Sequence, residues 1–116
     1  MNGFKRSDRV SNLIHRALAD IIENDLWDSR IGMVTVTGVK LKKDLKNARV
    51  YISVLGDDKT IELSINTLNN ASGFIKARLS KKVDLRNIPA IKFFYDSSMV
   101  NGMQIDKLLN RINTKT

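Results

Sequence analysis

The stretch DKTIELSINTLNNASGFIKARLSKKV, residues 58–83, decides the fold because it predicts two helices separated by a sharp kink. Residues 69–73, Asn-Asn-Ala-Ser-Gly, are poor helix material, and we place the kink at Ser72 and Gly73. The alternative is one continuous helix that carries a glycine at a cost of about 1 kcal/mol. Apolar residues recur at helical spacing before the kink and again after it: Ile61, Ile65, Leu68, Ile75 and Leu79.

Upstream of this stretch the sequence predicts a β-hairpin. Residues 33–42 alternate between apolar and polar side chains, and the alternation shifts by one residue at Gly38, as it does at a β-bulge. Residues 48–54 alternate without a break, which places Arg49, Tyr51 and Ser53 on the face opposite the apolar residues. A connection of five residues joins the two strands, a length typical of hairpins.

The remaining elements complete a two-layer α+β domain. Residues 8–25 predict an amphipathic helix with Ser7 as its N-cap and with His15 on a solvated face. A third strand is expected at residues 90–95 and a last helix at 98–112. The order is α-β-β-α-kink-α-β plus a C-terminal helix, in which helices cover a three-stranded sheet. Three minor elements are also expected: a core anchor at Trp27, a flexible basic arm at 1–6 and a frayed tail at 113–116.

Composition excludes several classes of protein. The chain has 116 residues, which predicts a single domain spanning 1–116, and it has no cysteine and one histidine. Disulfides, thiolate metal sites and multi-histidine metal sites are therefore excluded, and no metal or other cofactor is expected. No apolar run is long enough to span a membrane and the N-terminus has no apolar signal core, so we expect a cytoplasmic protein. No catalytic constellation is present, and we predict that the protein is not an enzyme and has no small-molecule substrate.

The charge is high and unevenly distributed. Lys plus Arg is 20 and Asp plus Glu is 12, a net charge of +8 that favours nucleic acid or an anionic membrane surface as partner. Residues 40–56 carry five basic residues against one acidic residue, and residues 76–92 carry six against one. The two segments make one basic patch if the fold brings them together. A membrane role is disfavoured because the polar face of the first helix is not rich in basic residues.

Three motifs resemble the ribosome-binding factor A family, within the type II KH-like fold. Residues 28–39, DSRIGMVTVTGV, are similar to the family pattern D-P-R-[LI]-G-x-[VM]-T-[VI]-[TS]-x-V, with Ser29 in place of the usual proline. Residues 70–75, NASGFI, resemble A-x-G-[FY]-[IL], and residues 93–103, FFYDSSMVNGM, resemble F-x-x-D-x-S-x-x-x-G. The likeness covers essentially the whole chain in the right order and spacing.

The resemblance implies a ribosome assembly factor. A monomer is expected, because no coiled-coil seam or long exposed strand edge in the sequence suggests a stable dimer. Its expected partners are the immature 30S subunit and 16S rRNA, and its expected role is late maturation, including processing of the 16S rRNA 5′ end, with importance for growth in the cold. The alternative is a general KH-like module that binds single-stranded RNA without ribosome specificity. The two differ in whether binding is confined to small subunits.

The resemblance also points to the kink as an RNA contact, because Ala71, Ser72 and Gly73 correspond to the Gly-x-x-Gly loop of KH domains. There Gly73 permits the turn, so valine in its place is expected to cause strain and to impair folding or RNA approach. Ser72 offers a hydroxyl or caps the next helix, whose positive end suits a phosphate. The candidate RNA-binding residues are Lys5, Arg6, Arg9, Asn70, Ser72, Gly73, Lys76, Arg78, Lys81, Lys82 and Arg86, with a possible second contact at Lys42, Lys43 and Lys46. Open alternatives are a purely structural kink, a solvated basic face and a frayed N-terminus. Tyr51 and Phe94 face away from the main alternation, which leaves base stacking open to them.

Overall fold

Six elements form two layers in the part of the chain that the structure describes. A computed structural model describes residues 6–26 and 28–97. The elements are α1 (Arg6–Asn24), β1 (Met33–Leu41), β2 (Asn47–Leu55), α2 (Asp58–Asn70), α3 (Ser72–Lys82) and β3 (Ala90–Tyr95). The predicted order of helices and strands is thus confirmed through the third strand. Four predicted features lie outside the described residues: Trp27, the helix at 98–112, the tail at 113–116 and the arm before Arg6.

Helix α1 packs on the sheet through its predicted apolar stripe. Ile14, Leu18 and Ile21 are completely buried, because residues three and four apart share one face of a helix. The expected N-cap is wrong: the helix already includes Arg6, so Ser7 lies inside its first turn. Helical hydrogen bonding extends further upstream than the hydrophobic pattern, which begins only at Val10.

The single histidine, His15, reaches the sheet instead of facing only water. Its Nε2 lies 2.8 Å from the carbonyl oxygen of Val36 in β1, so the imidazole donates a hydrogen bond to that oxygen. The prediction of a solvated His15 is therefore wrong, because the ring is long enough to reach β1 from the margin of the buried stripe. The contact gives His15 a structural role in joining α1 to the sheet.

The strands form one sheet in the order β1-β2-β3. β1 and β2 are antiparallel partners, and their register shifts between Val36 and Gly38, which confirms the predicted bulge. The hairpin turns through Leu45, whose φ of 59° lies in the left-handed region. β3 pairs in parallel with β2, an arrangement that requires the chain to cross over the sheet first. The helix pair α2–α3 provides that crossover.

The core lies between the helices and one face of the sheet. All four apolar residues on the predicted inner face of β2 are buried, as the alternation requires: Ala48, Val50, Ile52 and Val54. Each of α1, α2 and α3 contributes one fully buried leucine: Leu18, Leu68 and Leu79. Phe93 fills the same layer from β3 and is only 1% exposed. The alternate residues of each strand therefore point to the opposite face.

Two glycines hold α2 close to the sheet. Gly56 has a φ of +147°, and a Cβ at this position would lie 2.9 Å from the side chain of Thr60. A Cβ on Gly32 would lie 3.0 Å from Thr60 Cγ2. The amide of Gly32 also donates a 2.9 Å hydrogen bond to the buried hydroxyl of Ser64. These close approaches fix α2, and with it the kink, relative to the sheet.

Candidate nucleic-acid interface

The kink between α2 and α3 is made by a single residue, Ala71. Its φ of −91° and ψ of 9° leave the helical range, and it ends α2 and precedes α3. The Ala71 amide donates to the Thr67 carbonyl at 3.0 Å, and its own carbonyl accepts from the Ile75 amide at 2.9 Å. The prediction of two helices is confirmed, but the break lies one residue before the predicted Ser72 and Gly73.

Ser72 and Gly73 are the first residues of α3 rather than the turn itself. No side chain caps this end of the helix, so a capping role for Ser72 is wrong, and a contact of its hydroxyl with RNA stays a prediction. A Cβ added to the exposed Gly73 meets nothing within 4 Å, so there is room for the first side-chain carbon, and strain from valine stays a prediction. Glycine instead leaves the first turn of α3 bare of a side chain at this position.

An aromatic side chain and a cation stand beside this bare turn. Phe74 is 45% exposed, which is high for a phenylalanine. The guanidinium carbon of Arg78, one turn along α3, lies 5.2 Å from the centre of the Phe74 ring, within cation–π range. The pair presents a flat apolar surface and a positive charge on the solvent side of α3.

The basic residues of α3 divide into two groups. Lys82 is held at the end of α1, because its ammonium lies 2.5 Å from the carboxylate of Asp20 in the helix and 3.9 Å from that of Asp25 just after it. The hydrogen bond between Lys82 and Asp20 raises the pKa of the lysine and lowers the pKa of the aspartate. Lys82 therefore has its charge partly neutralised, which makes it less available to RNA than its neighbours on α3, and its binding role stays a prediction. Three basic side chains of α3 are exposed, with no ion pair among the described residues: Lys76, Arg78 and Lys81.

The two asparagines before the kink have different surroundings. Asn69 Nδ2 donates to the Phe93 carbonyl at 3.2 Å, and Asn69 Oδ1 accepts from the Phe93 amide at 2.8 Å. Both polar atoms of the Asn69 side chain are thus used on β3, which fixes the kink against the edge of the sheet. Asn70 is exposed at the end of α2, and its role in RNA binding stays a prediction.

A groove runs between the kink and the β3 edge of the sheet. Basic side chains line it from both charge-rich segments, since Lys42 and Arg49 belong to residues 40–56 and Lys92 belongs to residues 76–92. The polar and aromatic lining comes from the kink, β3 and the hairpin: Asn69, Ser72, Lys92, Phe94, Lys42 and Arg49. A groove of this composition, next to the bare turn of α3, suits a negatively charged chain.

The two basic segments also meet on the face of the sheet that is turned away from the core. The strand register places Lys40 beside Arg49 and Arg49 beside Lys92. Tyr51 and Phe94 are partners on neighbouring strands and lie on the same face. We call these five residues the outer sheet face. Sequence reasoning did not include Lys40, Arg49 and Lys92 among the main candidates, because only the register shows that they are neighbours.

The other candidate residues lie further from the kink. Arg6 and Arg9 belong to the first turns of α1, so Arg6 is not part of a flexible arm, and Lys5 lies outside the described residues. Arg86 is exposed in the connection between α3 and β3. The three hairpin lysines are exposed, and of these only Lys42 lines the groove: Lys42, Lys43 and Lys46. Their binding roles stay predictions.

Other kinds of site find no support in the residues that the structure describes. Across 6–26 and 28–97, no cluster of three or more His, Asp or Glu side chains is arranged to hold a metal ion. Within the same ranges, no helix is both long enough and apolar enough to cross a membrane.

Comparison with known proteins identifies the family. The family model of ribosome-binding factor A matches residues 6–109. The chain belongs to the ribosome-binding factor A family. It is 40% identical to the ribosome-binding factor A of Nitrosomonas europaea over 107 residues, which is 92% of each chain.

Solved structures of ribosome-binding factor A share the fold. The crystal structure of the Thermus thermophilus protein matches with a TM-score of 0.70 and 28% identity, over 77% of this chain and 93% of that one. Coordinates of the Thermus thermophilus protein fitted into a cryo-EM map of a 30S complex match with a TM-score of 0.64 and 28% identity. That match covers 76% of this chain and 92% of the other. The KH-like α+β architecture that the motifs implied is confirmed.

One departure from the ribosome-binding factor A pattern has a structural counterpart. Ser29 replaces the usual proline, and the turn around it is held by Asp28 and Arg30 instead. Arg30 donates to the two Asp28 carboxylate oxygens through Nε at 2.9 Å and through one terminal nitrogen at 2.6 Å, and its amide donates at 3.0 Å. These hydrogen bonds from Arg30 lower the pKa of Asp28 to about 2.

Proposed function

We propose that this protein is a ribosome assembly factor that binds the immature 30S subunit through 16S rRNA. Membership of the ribosome-binding factor A family supports the ribosome as partner. The observation that carries the RNA contact is the convergence of cations from two separate segments on the groove beside the bare turn of α3. A fitted 30S complex of a related protein agrees with this partner.

The proposed contact is mainly with the RNA backbone. A phosphate approaches the first turn of α3, where the positive end of the helix dipole favours an anion and Gly73 offers no side chain in the way. Arg78 and Lys81 then neutralise phosphates on the exposed side of the helix, and Asn70 contacts the sugar or phosphate nearby. Such contacts read position and shape rather than base sequence.

The role that we propose for this binding is late maturation of the small subunit. It includes promotion of 16S rRNA 5′-end processing and a contribution to growth in the cold. The protein acts by binding as a monomer, with residues 1–116 as one domain, and it does not cleave RNA itself. Processing of a 16S precursor by the pure protein would contradict this part of the proposal.

Sedimentation distinguishes this function from a general RNA-binding module. Tagged protein in a cell lysate is separated on a sucrose gradient at moderate and raised salt. Co-migration with free 30S subunits, and not with 50S subunits or 70S ribosomes, is the expected result. A spread over all RNA-containing fractions that disappears evenly as salt rises would favour a KH-like module without ribosome specificity.

A further inference from the structure

Two aromatic rings lie side by side on the face of the sheet away from the core. The ring centroids of Tyr51 and Phe94 are 5.8 Å apart, and the ring planes differ by 32°. Both residues are only half-buried, whereas Phe93, the neighbour of Phe94 on the same strand, is 1% exposed. The core therefore accounts for Phe93 but leaves the Tyr51–Phe94 pair unexplained.

Cations surround the two rings. Lys40 Nζ lies 5.9 Å from the centre of the Tyr51 ring. Lys92 Nζ and Arg49 Cζ lie 5.5 and 6.0 Å from the centre of the Phe94 ring. All three basic side chains are exposed, and none forms an ion pair within the described ranges. This differs from Lys82, whose charge is held by α1.

The charge of the sheet changes along the strands. Asp96 lies beyond the other end of the aromatic pair, where its carboxylate accepts a 2.6 Å hydrogen bond from the Thr37 hydroxyl. The register pairs Thr35 with Ser53 and Met33 with Leu55 still further along β1 and β2. Positive charge and aromatic surface are thus concentrated at the end of the sheet nearest the hairpin.

We propose that the outer sheet face is a stacking platform for single-stranded RNA. Two unpaired bases stack on Tyr51 and Phe94, while Lys40, Arg49 and Lys92 move from the rings to the flanking phosphates. A duplex does not fit this role, because its bases are already stacked and paired inside the helix. The choice of RNA as ligand rests on the proposed function, and the platform adds which form of RNA is bound and by which residues.

Charge complementarity favours RNA over a protein occupant. The chain's own residues 98–116 carry three basic residues and one acidic residue, so docking them here brings like charges together. A second copy of the same face brings three more cations. A polyanion with exposed flat bases complements both the charge and the aromatic surface.

The platform is continuous with the groove at the kink. Arg49, Lys92 and Phe94 belong to both, and Ser72 lies in the same groove. A strand held by phosphate contacts at the first turn of α3 therefore passes over the β3 edge and reaches the aromatic pair without leaving basic surface. The two contacts make one path for a single strand.

The test is fluorescence-anisotropy binding of a labelled 12-nucleotide oligouridylate to the intact chain and to three variants. Tyr51→Leu and Phe94→Leu each remove a ring but keep every charge, and Leu63→Ala is a matched loss of exposed apolar surface on α2. Each ring variant is expected to weaken binding about 5- to 100-fold with little change in salt dependence. Leu63→Ala is expected to bind normally. Unchanged affinity in both ring variants, with circular dichroism showing intact folds, overturns the platform.

A second measurement uses only the unaltered protein. Ultraviolet cross-linking to the same oligouridylate, followed by peptide mapping, is expected to label Tyr51 or Phe94, and excess A-form duplex RNA of the same length should compete weakly. Cross-links confined to α3, or equal competition by inorganic polyphosphate and oligouridylate, contradict stacking.

If 30S co-sedimentation persists in the ring variants while oligouridylate binding is also unchanged, the platform fails but the assembly-factor proposal stands. If the unaltered protein does not co-sediment with 30S subunits, the assembly-factor proposal fails instead.

Discussion

The α3 surface and the outer sheet face are both basic, yet they are built differently. On the α3 surface, which comprises Gly73, Lys76, Arg78 and Lys81, the cations follow one another along a single helix. On the outer sheet face, the cations come from three strands and surround two aromatic rings. The first arrangement suits phosphates alone, and the second suits phosphates together with bases.

The comparison teaches that lysines in one basic run of the sequence differ in how available their charges are for binding RNA. Lys81 and Lys82 are adjacent in sequence, but only Lys82 forms ion pairs with Asp20 and Asp25, at the end of α1 and just after it. A count of charges along the chain treats the two residues as equal. The predictions below separate the two surfaces, or remove the support that they share.

The largest expected effect is on the strand that lies beneath both surfaces. Phe93→Ala should lower the free energy of unfolding by about 3–5 kcal/mol, because it leaves a cavity in the core. Phe94→Ala, one residue along on the opposite face, should cost much less stability. Urea denaturation of both variants measures the difference, and equal losses would mean that Phe94 is also a core residue.

Alanine variants of two separate glycines test whether the bare turn of α3 is needed for RNA binding or for folding. Gly56→Ala should destabilise the fold by about 1–3 kcal/mol, because its backbone has a positive φ and a Cβ meets Thr60. Gly73→Ala should leave stability unchanged or raise it by up to about 1 kcal/mol, since alanine favours a helix. We expect Gly73→Ala to weaken binding of oligouridylate all the same. Thermal melts and the anisotropy assay measure the two effects, and full binding by Gly73→Ala would show that the turn needs no bare backbone.

The exposed cations of α3 should act through phosphate contacts. The double variant Arg78→Ala/Lys81→Ala should weaken single-strand binding roughly tenfold at physiological salt and reduce the slope of log K against log salt by about 1.4. Lys82→Ala is the matched control, because its ammonium is already paired with Asp20, and it should change the slope less. A salt titration measures all three slopes. If Lys82→Ala changes the slope as much as the double variant does, the division of α3 into bound and available cations is wrong.

The smallest expected effect is a loss of folding stability at low pH that arises in the turn before β1. The pKa of Asp28 in the folded chain is about 2, below the usual 3.8, so its contribution to stability is present above pH 4 and is lost as the pH falls toward 2. Asp28→Asn removes this contribution. The stability difference between the two proteins should therefore shrink between pH 5 and pH 2, as urea titrations at several pH values would show. A constant difference would mean that the Arg30 contacts do not stabilise the fold.

Local patterns in the sequence predicted most of the helices and strands, because each pattern repeats over only a few residues. Helical spacing and strand alternation repeat within a few residues, so the buried stripe of α1, the four inward residues of β2 and the bulge at Gly38 could be read from the chain. The kink was predicted within one residue. The N-cap at Ser7 was wrong because α1 already includes Arg6, before the hydrophobic pattern begins. The solvated His15 was wrong because its ring reaches a carbonyl of β1, 21 residues further along the chain.

The sequence by itself determined the elements, the family motifs and the two segments that hold the excess positive charge. Only the tertiary structure decided that β3 pairs in parallel with β2, which places Arg49 beside Lys92 and Tyr51 beside Phe94. It alone also decided that Lys82 is paired with Asp20, a residue 62 positions away. The physical reason is that strand pairing and ion pairing depend on how the α2–α3 crossover returns the chain to the sheet. Patterns that extend over only a few residues do not predict the path of this crossover.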